Sequence, residues 1–145
     1  MAARKISFFP GDNGGEVVLG DDAAGELISG GEPAQSRVVQ EFHPTRAAYA
    51  RRFNRGGVVN SITWRVDRDH GTVAAAIEFL RDHAEAIPNP LGEATGYLAA
   101  VGADGSARYL QNCTIVAIRC LQFVGQSTLF EYTAVGGAWS DVVNP

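Results

Sequence analysis

The residues that most often perform chemistry in proteins are few in this chain and stand apart from one another. The three histidines are His43, His70 and His83, and none has a second histidine or a cysteine at a spacing typical of metal ligands. Asp67, Asp69 and His70 suggest either a metal site at a strand end or the start of a helix, whose first turn favours negative charge. We interpret His83 as a solvated residue on the polar side of that helix.

The candidate nucleophiles lack the surroundings that would activate them. Cys113 and Cys120 are seven residues apart in one predicted strand, so they point to opposite faces, roughly 20 Å apart and beyond disulfide reach. No serine lies in a G-x-S-x-G turn. The glycines of Gly11–Gly15 and Gly20–Gly25 lack the lysine and the helix of a phosphate-binding loop. We therefore predict that the protein is not an enzyme and uses no cofactor or metal.

Charge is distributed unevenly along the chain, whose net charge is −4. Residues 42–68 carry six arginines against the single acid Asp67, whereas the segments on either side are acidic. Arginine pairs with carboxylates through two parallel hydrogen bonds, so this segment can bind acids of another copy or of the same chain. Tyr49 and Phe53 lie among the arginines, a combination that also suits nucleic acid, although the acidic chain as a whole disfavours it.

The N-terminal part of the chain is rich in turn-forming residues. Residues 1–37 are predicted to be a hairpin or arm, with strands at Ile6–Phe9 and Glu16–Leu19. Ser29–Arg37 contains two glycines and a proline and is predicted to be a polar loop before a strand at Val38–Phe42.

The middle of the chain combines a strand with a helix. Arg51–Gly57 ends in turn residues and is predicted to be a loop. Val58–Arg68 is predicted to be a strand, with Ile62, Trp64 and Val66 on one face and polar residues from Ser61 to Asp67 between them, which is typical of a half-buried strand. A helix is predicted over residues 72–86, with Thr72 as its N-cap. Its predicted apolar stripe consists of Val73, Ala76, Ile77, Leu80 and Ala84.

The remainder is predicted to be β structure. Gly96–Val101 and Ser106–Leu110 form a hairpin around an Asp-Gly turn. Cys113–Phe123 is apolar on both sides and is predicted to be a central strand covered on both faces, and Thr128–Val135 is the last strand. The chain is therefore predicted to be a single domain over residues 1–145, mainly β with one helix. Its core, residues 38–137, would be a β-sandwich or open barrel flanked by a single amphipathic helix.

Two short motifs and the order of these elements carry a family resemblance. Arg-Phe-Asn-Arg-Gly at residues 52–56 precedes an alternating strand and one helix, and the last strand reads Phe130-Glu-Tyr-Thr-Ala-Val-Gly-Gly137. Over residues 38–137 this layout resembles structural proteins of tailed-phage tails, in particular the tail-tube class and its relatives. A physical observation agrees with it, because Lys5 is the only lysine and long strands without lysine make poor free edges.

The resemblance implies that copies join edge to edge in a ring, typically hexameric, and that rings stack into a tube. The partners would be copies of the same chain and other tail proteins, with DNA only as passing cargo and no membrane. The location would be the virion tail, after assembly in the host cytoplasm. Arg51–Gly57 would be a loop between subunits, and the N-terminal arm would contact a neighbour. The predicted interface residues are Arg46, Arg51, Arg52, Phe53, Asn54 and Arg55.

A second hypothesis is a β-rich module that binds a small ligand or a protein without catalysis. Its pocket would be lined by Trp64, Tyr97, Tyr109 or Tyr132.

Overall fold

The fold is given by a computed structural model, which describes residues 3–10, 15–42, 51–83, 96–102 and 104–140. These residues form strands, one α-helix and one turn of 3-10 helix at Asp22–Ala24. In chain order the elements are β1 (Ala3–Pro10), β2 (Val17–Asp21), β3 (Leu27–Phe42), β4 (Arg51–Asp69), α1 (Val73–Asp82), β5 (Gly96–Gly102), β6 (Ala107–Val124), β7 (Ser127–Gly136) and β8 (Ala138–Ser140). The prediction of a mainly β fold with one helix is confirmed.

The strands are all antiparallel and lie in the order β2-β1-β5-β6-β7-β4-β3, with β8 paired to β6. β6 belongs to two parts of this sheet because it changes partners along its length. Ala107–Cys113 pairs with β5, whereas Thr114–Val124 pairs with β7. Asn112, just before the change, has a φ of 48°, a left-handed conformation that asparagine tolerates better than most residues.

We call β2, β1, β5, the first part of β6 and β8 the first sheet, and the second part of β6, β7, β4 and β3 the second sheet. Both sheets contribute side chains to one buried core. The Nε1–H of Trp64 in the second sheet donates to the carbonyl oxygen of Leu19 in the first sheet, at 2.9 Å. The alternation predicted for Val58–Arg68 is confirmed, because Ile62, Trp64 and Val66 on β4 are buried. Phe130, Tyr132 and Ala134 on the neighbouring β7 are buried as well.

The N-terminal hairpin exists, and it is part of the first sheet. β1 pairs with both β2 and β5, and the side chains of Ile6, Phe8 and Leu19 are at most 1% exposed. Burying side chains of this size stabilises the fold by roughly 1.5–3 kcal/mol each. The described part of residues 1–37 is thus packed into the fold as a hairpin, and its contact with a neighbouring subunit stays a prediction.

Two segments predicted to be loops are strands that contain bulges. Ser29–Arg37 lies in β3, and the register shifts between Gly30 and Pro33, where β3 has one residue more than β4. Arg51–Gly57 lies in β4, and a second shift places extra β4 residues between Asn54 and Val58. Glycine at these points permits the bulge, with φ angles of 76° and 89° at Gly30 and Gly31. Both loop predictions are wrong because glycine marks bulges as well as turns.

The helix begins where the sequence predicts it, and it buries part of the predicted stripe. Thr72 is the N-cap, and its hydroxyl oxygen accepts a hydrogen bond from the Ala75 backbone at 3.1 Å. Ala76, Phe79 and Leu80 face the core, whereas Val73 and Ile77 of the predicted stripe are 51% and 54% exposed. Ala84 lies outside the described residues. None of the helical segments described is long and apolar enough to cross a membrane.

The C-terminal strands agree with the prediction except at two points. Val116 is 43% exposed, so β6 is not covered on both faces as predicted. β8 was not predicted, and it pairs with Tyr109–Gln111 of β6 after β7 ends at Gly136. The two described cysteines are free, Cys113 buried and Cys120 exposed.

The corner between β7 and β8 allows a stability test with a matched control. A Cβ atom at Gly136 would lie 2.5 Å from Leu110 Cγ and 2.9 Å from the Gln111 carbonyl oxygen, whereas at Gly137 the nearest atom is 3.6 Å away. We expect Gly136→Ala to lower the free energy of unfolding by about 1–3 kcal/mol because the core must move to admit the methyl group. Gly137→Ala should change it by less than about 1 kcal/mol, as measured by urea denaturation. Equal losses would show that this corner is not tightly packed.

Candidate functional site

The predicted interface segment extends the second sheet as a two-stranded ribbon. Arg51, Arg52, Phe53, Asn54 and Arg55 lie on β4, where their backbone is described, and Arg46 lies outside the described residues. β7 pairs with β4 only from Asn60 to Asp69. Residues 37–42 and 51–58, which we call the β3–β4 arm, pair only with each other within the part of the chain that is described.

The register of the arm places Arg52, but neither Arg51 nor Arg55, opposite an acidic residue. The register partner of Arg52 is Glu41. Arg51 lies opposite Phe42, and Arg55 falls within the bulge, so neither has an acid as its direct cross-strand neighbour. Pairing between chains, pairing within the chain and nucleic-acid binding all stay predictions for these two side chains.

The second sheet ends in two open edges. β3 forms one edge, and residues 114–124 of β6 form the other, because β5 pairs with β6 only as far as Cys113. In the described ranges no strand pairs with the outer side of either edge. Exposed apolar side chains accompany both edges, at Leu27 on β3 and at Val116, Phe123 and Val124 on β6. Unpaired backbone groups beside apolar side chains are a template for pairing with another strand.

The outward face of the second sheet is polar and nearly neutral. Glu131 on β7 lies directly between Arg65 on β4 and Arg119 on β6, at 3.0 Å and 3.7 Å from their guanidinium nitrogens. Thr63 and Thr133 form a second cross-strand pair, with their hydroxyl oxygens 3.3 Å apart. This face therefore carries charge without a strong excess of either sign.

A buried polar cluster lies where α1 meets the second sheet. We call it the Arg68 cluster, and it consists of Glu26, Arg68, Phe79, His83 and Tyr132. Arg68 has a side chain only 5% exposed, and its Nε–H donates to Glu26 Oε1 at 2.9 Å. Its Nη1–H donates to the Tyr132 hydroxyl at 2.8 Å, and its guanidinium lies 4.9 Å from the centre of the Phe79 ring. A buried cation is thus satisfied by a carboxylate, a phenol and an aromatic face.

The two histidines near this cluster are partly buried rather than solvated. His83 Nε2 is hydrogen-bonded to the Tyr132 hydroxyl, and its ring stacks on Phe79, so the prediction of a solvated His83 is wrong. Burial, with the nearby Arg68 charge, lowers the pKa of His83 to about 4. Burial also lowers the pKa of His70, whose Nε2 lies 2.7 Å from Thr128 Oγ1.

The Arg68 cluster has groups that enzymes use, and they differ in their access to solvent. Tyr132 is 0% exposed, and burial raises the pKa of its hydroxyl to about 12, so the phenol is neutral at physiological pH. Arg68 directs its guanidinium into the fold, where its contacts hold elements together. His83 and Phe79, by contrast, line an open surface depression of about 410 Å³ together with His70.

The geometry around Asp67, Asp69 and His70 favours the start of a helix over a metal site. Asp69 Oδ1 accepts a hydrogen bond from the Gly71 backbone at 3.0 Å, immediately before the helix. No group of three histidine, cysteine or acidic residues converges on one point among the residues described. The helix-start interpretation of these acids therefore fits the geometry.

The aromatic residues of the ligand-pocket hypothesis are not gathered around a pocket. Trp64 and Tyr132 are fully buried and stack with ring centres 5.4 Å apart. Tyr97 stacks on Phe9, 4.7 Å away, and meets Tyr109 edge-on at 6.0 Å. Clefts of about 80 Å³ between β3, β4, β5, β6 and β8 and of about 240 Å³ between β4, β6 and β7 are lined by other residues. Both are smaller than the roughly 300 Å³ that a small-molecule site usually needs.

The Arg68 cluster was not predicted, although the sequence holds a signal for it. Arg68 has the same parity along β4 as Ile62, Trp64 and Val66, so it must point toward the core. An arginine at an inward position requires a buried acceptor, and Glu26 is distant in sequence.

Two arginines on the same strand provide a matched test of this cluster. Arg68→Ala removes the partner of a mostly buried carboxylate and a phenol, so we expect the free energy of unfolding to fall by about 3–5 kcal/mol. Arg65→Ala removes a pair in which the arginine side chain is 54% exposed, and we expect a loss below about 1 kcal/mol. Urea denaturation of both variants measures the difference. Similar losses would contradict a structural role for the Arg68 cluster.

The chain was also compared with known proteins. A scan against protein-family models finds no model that matches it. A search of curated proteins finds no match either.

Proposed function

We propose that the protein is a structural subunit that assembles with copies of itself into rings through the two edges of its second sheet. The observation that carries this proposal is that β3 and residues 114–124 of β6 are both unpaired on their outer sides within the described ranges. An unpaired edge in water invites another strand, and a subunit with two such edges can use one as donor and the other as acceptor.

The direction of the strands supports such a ring. Four antiparallel strands, β6-β7-β4-β3, make up the second sheet, so its two edge strands run in opposite directions. A neighbour related by rotation about an axis along the strands presents its β6 antiparallel to β3. Each joint then continues the same antiparallel pattern, and a ring leaves no free edge in the second sheet.

Bulges restrict where the edges can pair. The ladder between β6 and β7 is regular from Ala117 to Cys120, between two irregularities. The ladder between β3 and β4 is regular from Pro33 to Arg37, again between two irregularities. Bulges protect an edge from pairing, so we expect a neighbour's strand to contact these regular stretches.

The β3–β4 arm suits a second contact, along the strand direction. A two-stranded ribbon is only marginally stable in water by itself, so cover by a partner would stabilise it. The arm carries Arg37, Arg51, Arg52 and Arg55 against Glu41, whereas the other end of β4 carries Asp67 and Asp69. Strands of this length separate the two ends by tens of ångströms, roughly 3.3 Å per residue. Opposite charges at opposite ends favour head-to-tail stacking of rings.

We infer from the resemblance stated above that these rings belong to the tail tube, or a related tail component, of a tailed bacteriophage. The polar face of the second sheet would then line a channel through which DNA passes without being held, because Glu131 pairs with both Arg65 and Arg119 on that face. The protein would assemble in the host cytoplasm, with other tail proteins, and remain in the virion.

A cross-linking experiment tests the edge contact with a control on the adjacent residue. Cys120 lies opposite Phe130 and therefore has the parity of the buried face, as does Gln35, which lies opposite the buried Asn60. Strand neighbours must share a face, so we expect Gln35→Cys to form a disulfide with Cys120 of the next copy under mild oxidation. Ser36→Cys has the other parity and should not form it.

The readout is the appearance of covalent dimers and higher oligomers in non-reducing electrophoresis. Adding Cys120→Ser to the Gln35→Cys variant should abolish them. Failure of Gln35→Cys to cross-link, or equal cross-linking by Ser36→Cys, would contradict pairing between these two edges.

The arginines of the arm allow a separate test. Replacing Arg51, Arg52 and Arg55 together with alanine should reduce assembly, because charge that binds a neighbour is lost, and leave the melting temperature of the isolated chain nearly unchanged. Arg4→Ala with Arg81→Ala is the control, since both are exposed and lie outside the arm. Particle formation by electron microscopy and thermal unfolding are the measurements. A large drop in the melting temperature would instead indicate pairing within the chain.

A further inference from the structure

The hydrogen bonds around Tyr132 determine where the protons lie. Arg68 can only donate, so the Tyr132 oxygen is the acceptor for its Nη1–H. The phenol has one proton of its own, and His83 Nε2 is the acceptor within reach. His83 must then be neutral, with its ring proton on Nδ1, for every donor in this chain of hydrogen bonds to have an acceptor.

The charges around His83 come from each element packed against it. From β4 it faces the cation Arg68, which is bound by Glu26, and His70 lies nearby in the turn between β4 and α1. From β7 it faces Tyr132 and Phe130, which are neutral. On its own helix the acids Glu78 and Asp82 are exposed, and Asp82 pairs with Arg81 at 3.0 Å. The nearest full charge in the fold interior is therefore positive.

We propose that His83 is a proton-sensitive latch, whose protonation releases α1 from the second sheet. A protonated ring has no lone pair to accept the Tyr132 hydroxyl proton, and it places a second cation beside Arg68. Glu26 cannot offset both, because its Oε1 already binds Arg68 and its Oε2 accepts from the Asp21 backbone at 2.8 Å. Each of these changes weakens the contact between α1 and β7.

The contact between α1 and the second sheet is small, so α1 can be released without unfolding of the whole domain. α1 reaches the second sheet through Phe79, which meets Phe130 edge-on at 5.5 Å, and through His83, 5.3 Å from the same ring. Only Ala76 is fully buried among the residues of α1. The strand ladders of β4 and β7 do not depend on these contacts.

The direction of the pH effect follows from the lowered pKa of His83, about 4 in the fold against 6.5 for the free side chain. The unfolded or released helix binds a proton more readily than the docked one. The contribution of the latch is therefore fully present above about pH 6.5 and is lost as the pH falls toward 4.

Amide hydrogen exchange at pH 7 and pH 5, corrected for intrinsic exchange rates, tests the latch in the full chain. We expect the protection of α1 to fall at least tenfold at pH 5, while β4 and β7 keep theirs. His83→Gln cannot be protonated, yet its amide oxygen can still accept from Tyr132, so α1 in this variant should keep its protection within about threefold.

His70→Gln is the control, because the Thr128 hydroxyl beside His70 can rotate to accept a proton and needs no neutral ring. The His70 ring also lies 4.6 Å from Phe79 of α1, and burial lowers its pKa, so this variant should retain most, though not all, of the pH effect of the wild-type chain. Unchanged α1 protection in the wild type, an equal fall in His83→Gln, or simultaneous loss of protection in β7 would each overturn the proposal.

Discussion

Backbone groups on both sides of a β-strand need hydrogen-bond partners. Within the described fold, β6 does not have a neighbouring strand on both sides along its whole length. It pairs with β5 up to Cys113 and then bends near Asn112 to continue in the second sheet, where β7 covers one side only. This change of partner joins the two sheets into one core. It also leaves residues 114–124 as an edge, and β3 forms the matching edge across the same sheet. The change of partner along β6 thus both joins the core of the subunit and leaves the edge that we propose for assembly.

The second sheet is fixed in place by contacts that reach beyond its own hydrogen bonds. Trp64 donates to the carbonyl of Leu19 across the core, and Arg68 connects Glu26, β7 and α1 through a single guanidinium. Arg65, three residues earlier on the same strand, makes a comparable ion pair in solvent. Burial, not the number of contacts, distinguishes the two arginines, since water competes with the pair at Arg65 and cannot at Arg68.

Much of the fold could be predicted from local patterns. The alternation in residues 58–68, the Asp-Gly hairpin before β6 and the Thr72 cap depend on near neighbours, and all appear in the structure. Gly30-Gly31 and Gly56-Gly57 misled the prediction, because a bulge and a turn need the same backbone freedom and differ only in the partner strand. The buried face of α1 was predicted only in part: Ala76 and Leu80 face the core as expected, but Phe79 and His83 also do so because they pack on Phe130, a residue distant in sequence.

The candidate site was harder to predict than the fold. Sequence identified a basic segment, but which strands lie at the edges depends on the order of all the strands, and no local pattern encodes it. The inward parity of Arg68 was visible in the sequence, yet its partner Glu26 was not.

In the assembly that we propose, another copy of the chain completes the second sheet. The mass of the purified protein in solution, measured by light scattering across a wide range of concentrations together with electron microscopy, tests this most directly. We expect closed rings or stacked tubes of many copies. A single chain that stays monomeric at high concentration would contradict it.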